Sequence, residues 1–388
     1  MGIRFTPNAR PTIGVEMELH LVDAVTGELT SAAIDILAEM GADHPGGEHP
    51  KAKHELFQST IEIITGVCDN PAQAGDDLRA TLDELRAAAE RRGLTLVSAG
   101  THPFGLAREQ IVSPHQRYLD LVEDLQWPAR RLLICGMHVH VGVPDGSAAI
   151  RIIGELMRHH PLFLALSSSS PYFERDDSGM ASARTKIFEG LPTAGLPPPL
   201  ADWSDFESFM STLIESGCIR SIREVWWDIR PHPDFGTVEF RMCDATPTVR
   251  ETIALAALAQ TLVESTIRQI DDGTLPPPPR EWTIRENRWL AARYGLDAAL
   301  IVQPPGTSHP ERRPVRELVT ELIAELRPVA SDLGTLDQLA DLEVLLEAGS
   351  GAQRQRRVVE AGGTLADVVQ HLAAELATDT ITGAQPPR

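Results

Sequence analysis

Four short segments alternate between apolar and polar residues, a period of two that is typical of a β-strand with one buried face. Successive side chains of a strand point to opposite faces, so in each segment the apolar residues share one face and the polar residues the other. The segments are GVEMELHLV (14–22), TIEII (60–64), GMHVHVG (136–142) and TVEFRMC (237–243). Each therefore predicts a strand with one core face and one polar face.

Apolar residues recur at helical spacing between these segments. The clearest helix is predicted over residues 71–92, with Asn70 as N-cap, Pro71 at the first position and Gly93 just past the end. Further helices are predicted at 115–126, 145–166 and about 248–270, and further strands at 94–99 and 224–230. Residues 167–201 read as a long irregular segment, and such loops in compact domains are usually functional or disordered.

A proline-rich segment, DDGTLPPPP (271–279), separates this mixed part from a last third that reads as helices throughout. Strands and helices alternate before it, so we predict an α+β fold. We expect an α+β domain at 1–270, a linker at 271–280, a helical region at 281–377 packed on that domain, and a flexible tail at 378–388.

Composition limits the functional classes. The chain has 388 residues and a formal net charge of −20, which argues against a general nucleic-acid binder because phosphate neutralisation needs a basic face. Its four cysteines are scattered without a C-x-x-C pair, as expected of reduced thiols in a cytoplasm. No stretch reads as a signal peptide or is long enough to span a bilayer. We expect a cytoplasmic protein without nucleic-acid or membrane partners.

The polar faces of the four strands hold mostly glutamate, histidine and arginine, although glutamate is depleted in ordinary strands. The plain alternative is a sheet with one wet face. If the strands are neighbours, however, their carboxylates converge, and two carboxylates about 4 Å apart repel by about 4 kcal/mol at an effective dielectric near 20. A divalent cation relieves that repulsion. Oxygen-rich sites prefer Mg²⁺, Mn²⁺ or Ca²⁺, and an added imidazole shifts the preference toward Mn²⁺ or a heavier metal.

Arginines accompany these acids. Arg230 and Arg241, with Arg175 or Arg184 from the irregular segment, suit phosphate or carboxylate groups, which a guanidinium grips with two hydrogen bonds. Acids that hold metals beside arginines that hold phosphate indicate nucleotide-dependent phosphoryl transfer. The chain contains neither a G-x-x-x-x-G-K-[ST] nor a G-x-G-x-x-G motif, which excludes a P-loop enzyme.

Six segments resemble the carboxylate–amine ligase (YbdK-type) branch of the glutamate–cysteine ligase type 2 family, which is related to glutamine synthetase. They follow the family order across about residues 10–270. The segments are IGVEMELHLVD (13–23), HELFQSTIEIITGVC (54–68), AGTHPF (99–104), CGMHVHVGVPD (135–145), SSSSPYFERDDSGMASARTKIFEGLPTAGLPP (167–198) and VWWDIRPHPDFGTVEFRMCDATPT (225–248).

The resemblance implies a glutamine-synthetase-like catalytic domain: a curved antiparallel sheet with helices on its convex side, followed by a helical C-terminal region. It implies ATP and Mg²⁺ (or Mn²⁺) as cofactors. The implied substrates are a small-molecule carboxylate, glutamate or similar, and an amine, cysteine or similar, which are joined through an acyl phosphate. A homo-oligomer is left open.

The resemblance also implies a role for each site residue. The implied catalytic residues are Arg230 and Arg241, of which Arg230, with His140, would also bind ATP. Arg184 and Arg241 would bind substrate. The implied metal ligands are Glu16, Glu18, Glu55, Glu62, His138 and Glu239.

The chain departs from the family pattern at two places. Met17 replaces an acid, but the strand pleat predicts that it points away from the site. PYFERDDSGMAS (171–182) stands where many relatives have Trp and Tyr, which leaves the accepted substrate open.

Two other functions compete with the ligase. A metallohydrolase would bind one Zn²⁺ or Fe²⁺ through both histidines of H-x-H. A regulator would keep the nucleotide site without catalysis. For the ligase, we expect His138 to bind a metal beside Glu18 or Glu239 and His140 to lie toward the nucleotide phosphates.

Overall fold

The computed structural model describes residues 2–303 and 309–382. Within them the strands are β1 (Ile13–Asp23), β2 (Ala52–His54), β3 (Thr60–Ile64), β4 (Leu94–Val97), β5 (Met137–Gly142), β6 (Tyr172–Phe173), β7 (Asp176–Asp177), β8 (Ile229–His232), β9 (Thr237–Phe240), β10 (Ala299–Val302) and β11 (Glu311–Pro314). The helices are α1 (Ala33–Gly41), α2 (Pro71–Glu90), α3 (Gln116–Leu125), α4 (Gly146–Ser167), α5 (Ala183–Phe188), α6 (Trp203–Glu215), α7 (Val249–Asp271), α8 (Glu281–Tyr294), α9 (Val315–Leu333), α10 (Leu336–Ala348), α11 (Gly351–Glu360) and α12 (Leu365–Thr378).

A seven-stranded sheet lies at the centre, with six strands in the order β2-β3-β1-β5-β9-β8 and β4 paired to the far end of β1. The pairs between these strands are antiparallel. The four alternating segments correspond to β3, β1, β5 and β9, which are consecutive neighbours. The condition under which their carboxylates converge is therefore met.

The apolar faces of these strands form the core, as the alternation predicts. Ile13, Val15, Met17, Leu19 and Leu21 of β1 are all buried in one hydrophobic cluster that also contains residues of α2, α4 and α7. Met17 thus points away from the polar face, as the pleat predicts. Helices cover this face of the sheet, while its opposite face carries the glutamates and histidines.

Local signals position most helices correctly. The Asn70 side chain accepts a hydrogen bond from the Gln73 backbone N–H at 3.0 Å. Asn70 is therefore the N-cap of α2, which begins at Pro71. Asp145 caps α4 in the same way, and Thr248 caps α7. The structure differs at 224–230, because β8 begins only at Ile229 and continues to His232, and at 237–243, because β9 ends at Phe240. Residues 222–224 form a 3₁₀ turn instead, capped by Ser221.

The region after residue 280 is not helical throughout, because β10 and β11 form a hairpin there. Asn287 of α8 holds the hairpin: its amide donates to the Ile301 carbonyl at 2.8 Å and accepts from the Ile301 N–H at 2.7 Å. The division of the chain into domains stays a prediction. Leu290 of α8 and Val319 of α9 nevertheless lie in the same buried cluster as β1.

The predicted flexible tail falls partly on residues 378–382, which pack against the rest of the chain. The Asp379 carboxylate lies 2.8 Å from Arg79 Nε and accepts from the Arg250 backbone N–H, and Ile381 is buried. The rest of that prediction, residues 383–388, lies outside the described residues. In the described part of the chain, none of the helices combines the length and the apolar character needed to cross a membrane.

Candidate active site

The register of the sheet places the acidic and imidazole side chains in a row across four strands. Glu18 lies opposite Glu62 of β3, and Glu16 lies opposite His138 of β5. His140 in turn lies opposite Glu239 of β9, which faces Arg230 of β8. The polar faces line one cavity of about 490 Å³, and Arg175, the alternative to Arg184, does not line it. The cavity includes every site residue that the family resemblance implies. Those residues are Glu16, Glu18, Glu55, Glu62, His138, His140, Arg184, Arg230, Glu239 and Arg241.

Three carboxylates lie close together at one side of the cavity. One oxygen from each of Glu18, Glu55 and Glu62 lies within 4.8 Å of the others. Burial and the charge of Glu18 raise the pKa of Glu55 to about 8, and burial with the charges of its neighbours raises the pKa of Glu62 well above its usual value. A cation bound there would therefore compete with protons, which these two carboxylates hold more tightly than an ordinary glutamate does.

Glu16 lies at the centre of the row and contacts both histidines. One carboxylate oxygen is 2.7 Å from His138 Nδ1, and the other is 3.4 Å from His140 Nε2. Burial alone would raise the pKa of Glu16, but the hydrogen bonds and charges of these histidines outweigh burial and hold it well below its usual value. His140 Nδ1 also lies 2.9 Å from the Thr237 hydroxyl.

The two histidines belong to different clusters of candidate metal ligands. His138 groups with Glu16 and Glu62, and His140 groups with Glu16 and Glu239. The β1–β5 register sets Glu16 opposite His138. The expectation that His138 binds a metal beside Glu18 or Glu239 stays a prediction. Among residues 2–303 and 309–382, no such cluster contains both histidines.

Two arginines bind Glu239 at the other side of the site. Arg230 Nε lies 2.6 Å from one of its carboxylate oxygens, and Arg241 contacts the other. Burial would raise the pKa of Glu239, but these two guanidinium charges outweigh it and hold the pKa well below its usual value. The buried carboxylate of Glu239 thus fixes two guanidinium groups beside His140. The N–H groups that do not contact Glu239 have their directions set by this pairing.

Arg184 reaches the cavity from α5, a short helix inside the segment that the sequence predicts to be irregular. Its backbone N–H donates to the Ser170 hydroxyl at 3.1 Å, and that hydroxyl donates to the buried carboxylate of Asp244 at 2.7 Å. Ser182, the N-cap of α5, also donates to Asp244 at 2.8 Å. Gly136 admits the guanidinium, because a Cβ there would lie 2.3 Å from Arg184 Nη2.

Sequence reasoning missed the two ends of the cavity. One end adds Arg223, Trp226, His232 and Phe235, where the His232 and Phe235 rings stack with centroids 4.1 Å apart. The polar face of β8 could have indicated His232, because it lies two residues after Arg230. The other end adds Lys53, Arg117, Tyr118 and an apolar wall. No pattern in the sequence distinguishes Arg117 from a solvated helix residue.

Two solved structures share the fold of this chain. A glutamate–cysteine ligase from Francisella tularensis, in complex with AMP, superposes with a TM-score of 0.68 at 12% identity, covering 96% of this chain and 90% of that chain. A bifunctional glutathione synthetase from Pasteurella multocida gives 0.65 at 12% identity, covering 94% of this chain and 52% of that chain. The chain thus has the fold of these two enzymes, in agreement with the expected α+β class.

Sequence comparison then identifies the family. The family described as "Glutamate-cysteine ligase family 2(GCS2)" matches residues 12–371. A Frankia casuarinae protein named "Putative glutamate--cysteine ligase 2-1" is 51% identical over 379 residues, covering 97% of this chain and 98% of its own. A Thermobifida fusca protein named "Putative glutamate--cysteine ligase 2" is 47% identical over 375 residues, covering 97% and 93%. The chain belongs to glutamate–cysteine ligase family 2 and is a ligase, which confirms the resemblance at the level of the family.

Proposed function

We propose that this ligase joins a small-molecule carboxylate to an amine, using ATP and an acyl-phosphate intermediate. The row of acids and imidazoles that ends in two arginines on Glu239 carries the proposal. The γ-phosphoryl group passes to an oxygen of the substrate carboxylate and ADP is formed. The amine nitrogen then bonds to the acyl carbon, the acyl–phosphate bond breaks, and amide, phosphate and a proton are released.

The donors fit divalent cations. Carboxylate oxygens dominate all three clusters, which suits Mg²⁺ or Mn²⁺ that must exchange with a nucleotide. Glu18, Glu55 and Glu62 would hold one ion; Glu16 with His138 and Glu62, or with His140 and Glu239, would hold others. When bound, such ions neutralise charge on the phosphate oxygens.

The chain's own residues orient the reacting groups. Arg230 and Arg241 are fixed by Glu239, so they can hold the transferred phosphoryl group without reorganising during the reaction. His140 lies between Glu16 and Glu239 on the same side, which fits its expected role near the phosphates. The Arg184 guanidinium lies against Gly136, just before β5, and suits a substrate carboxylate.

The separation of the histidines argues against the metallohydrolase. Such an enzyme needs both imidazoles on one ion, whereas the two imidazoles of the described site fall in different clusters of candidate ligands, which share Glu16 but do not contain both histidines. The second alternative, a non-catalytic regulator, would be expected to lack a metal acid, and every expected acid lines the cavity.

Release of ADP is expected to require ATP, a divalent metal and a carboxylate together, since all three form one reacting assembly. Hydroxylamine in place of the amine should trap the activated acid as a hydroxamate. The measurement is a screen of acids with ADP and hydroxamate as readouts, and omission of the acid is the control. AMP and pyrophosphate as products would contradict an acyl phosphate, because they signal adenylation.

Stabilisation by Mg²⁺ is expected to grow as the pH rises from about 6 to about 8. The pKa of Glu55 is raised from 4.5 to about 8 by burial and Glu18, so at the lower pH its proton competes with the cation. Because the folded state binds this proton more tightly than the unfolded chain, Glu55 contributes stability below its unfolded pKa that is lost as the pH rises toward its folded pKa.

The measurement is the Tm with and without Mg²⁺ across this pH range. Glu55→Gln, which cannot titrate, is the matched control: its metal-free Tm should exceed that of the wild type at the upper pH, and its Mg²⁺ shift should depend less on pH. Equal pH dependence in both proteins would show that Glu55 does not couple protons to the cation.

A further inference from the structure

Arg184 is a buried cation without a direct ion pair among the described residues. Its side chain is 4% exposed, and its Nε has no hydrogen-bond partner. Its two Nη atoms reach only the carbonyls of Arg241 and Met242, at 3.4 and 3.5 Å. In the described parts of the chain, no carboxylate lies within salt-bridge distance of this guanidinium. The charge of Arg184 does oppose the rise that burial causes in the pKa of the Asp244 carboxylate, so these two groups interact at longer range. The guanidinium N–H groups nevertheless lack a direct anionic acceptor, which the anionic group of a ligand would supply.

An apolar wall adjoins this arginine in the same cavity. It consists of Leu121, Leu132, Ile134, Phe188 and Leu191. The Phe188 ring centroid is 5.6 Å from the guanidinium carbon of Arg184, and Ile134 comes two residues before Gly136, on which that guanidinium lies. Apolar surface therefore lies directly beside the unpaired positive charge.

Part of the apolar wall packs against a buried hydrophobic cluster. Leu121 and Leu132 pack against a buried cluster that contains Leu56, Phe57 and Leu133. Tyr118 donates its hydroxyl to the His54 carbonyl at 2.8 Å, so its ring adds apolar area without offering a free polar group. A ligand that meets this surface with polar atoms would lose their hydrogen bonds to water.

Both ends of the cavity hold positive charge, with Lys53 and Arg117 at the end of the apolar wall, but the opposite end lacks the aliphatic side chains of that wall. Arg223, Trp226, Arg230, His232 and Phe235 combine positive charge with aromatic rings there, which suits the nucleotide of the proposed function. The apolar wall consequently belongs to the end where the acid and the amine meet.

We infer that the amine substrate is an α-amino acid with an aliphatic or aromatic side chain. Its carboxylate pairs with Arg184, its side chain packs on the apolar wall, and its amino nitrogen attacks the activated acid, releasing phosphate and a proton. The inference rests on the proposed function and names the substrate class of that site. One methylene in an apolar pocket changes kcat/KM by roughly 10–200-fold, so the preference is expected to be large.

The test is a matrix of acids against glycine, serine, alanine, leucine, methionine and phenylalanine, with the full-length protein, ATP and Mg²⁺. Leucine, methionine or phenylalanine should exceed glycine in kcat/KM by about 10-fold or more. A parallel arm with hydroxylamine reports activation of the acid without amine selection. If hydroxamate forms in the hydroxylamine arm but glycine or serine is the best amine in the matrix, the inference is overturned and the proposed function stands. Absence of hydroxamate with every acid would remove both.

Two variants test the residues. Leu121→Asn should bring the leucine-to-glycine ratio of kcat/KM close to one, whereas Leu119→Asn should leave it unchanged, because Leu119 lies on the same helix, is 45% exposed and does not line the cavity. Arg184→Met should raise the KM for the amino acid about 10-fold or more and leave the KM for ATP unchanged. A folded Leu121→Asn with the wild-type ratio, or an Arg184→Met that raises only the KM for the acid, would overturn the inference.

Discussion

Replacing Glu16 with glutamine is expected to lower kcat on the order of 10²–10³-fold, the usual effect of removing one preorganised electrostatic group. Its carboxylate is shared by two of the three candidate metal clusters and contacts both histidines. Glutamine keeps the size of the side chain but loses the charge that orients both imidazoles and would bind a cation. Steady-state ADP release at low Mg²⁺ measures the effect.

Glu28→Gln is the matched control, because Glu28 is exposed just beyond the end of β1 and does not line the cavity. It should keep the wild-type rate, and circular dichroism should show both variants folded. A Glu16→Gln variant with a near-normal rate at low Mg²⁺ would mean that the row of acids is only a solvated sheet face.

Replacing Arg354 with leucine is expected to destabilise the protein by about 3–5 kcal/mol, the cost of breaking a buried ion pair. Arg354 is fully buried; one Nη lies 2.8 Å from Glu251, its Nε lies 2.8 Å from Glu375, and the other Nη donates to the Gly349 carbonyl. The substitution leaves two buried carboxylates without their common partner. Urea unfolding measures the loss.

Arg327→Leu provides the comparison, since it removes an arginine from the pair with Glu343, in which both side chains are about half exposed. Exposed pairs contribute about 0–1 kcal/mol, so this variant should differ little from the wild type. Equal losses in the two variants would contradict a special role for the buried cluster, in which α7, α11 and α12 meet.

The faces of the strands could be predicted from the sequence, but the order of the strands could not. Alternation in β1 and β5 places Glu16 and His138 on polar faces, because the pleat fixes side-chain direction locally. That these strands lie side by side depends on pairing between distant residues, which only the family resemblance implied. Glu55 shows the same limit: it follows β2 outside any strand, so no periodicity could position it.

The hairpin of β10 and β11 shows a different limit. Glu311–Pro314 is charged and mostly exposed, so it lacks the alternation of a half-buried strand. It pairs with β10, whose Ile301 is hydrogen-bonded to Asn287 of a neighbouring helix. Arg117 and Tyr118 enter the cavity from α3, whose residues are all at least partly exposed. Sequence periodicity reports burial, and it therefore cannot find a cavity residue on a poorly buried helix.

The hydrophobic cluster that joins β1 to α8, α9 and α10 has a consequence for synthesis on the ribosome. The apolar sides of α4 and α7 pack against these later helices, which emerge from the ribosome only after the whole sheet. A nascent chain that ends near the proline-rich segment thus carries every acid of the active site but leaves a large apolar surface uncovered. Such an intermediate is prone to aggregation, so translation of the last third determines whether an already encoded active site becomes a folded enzyme.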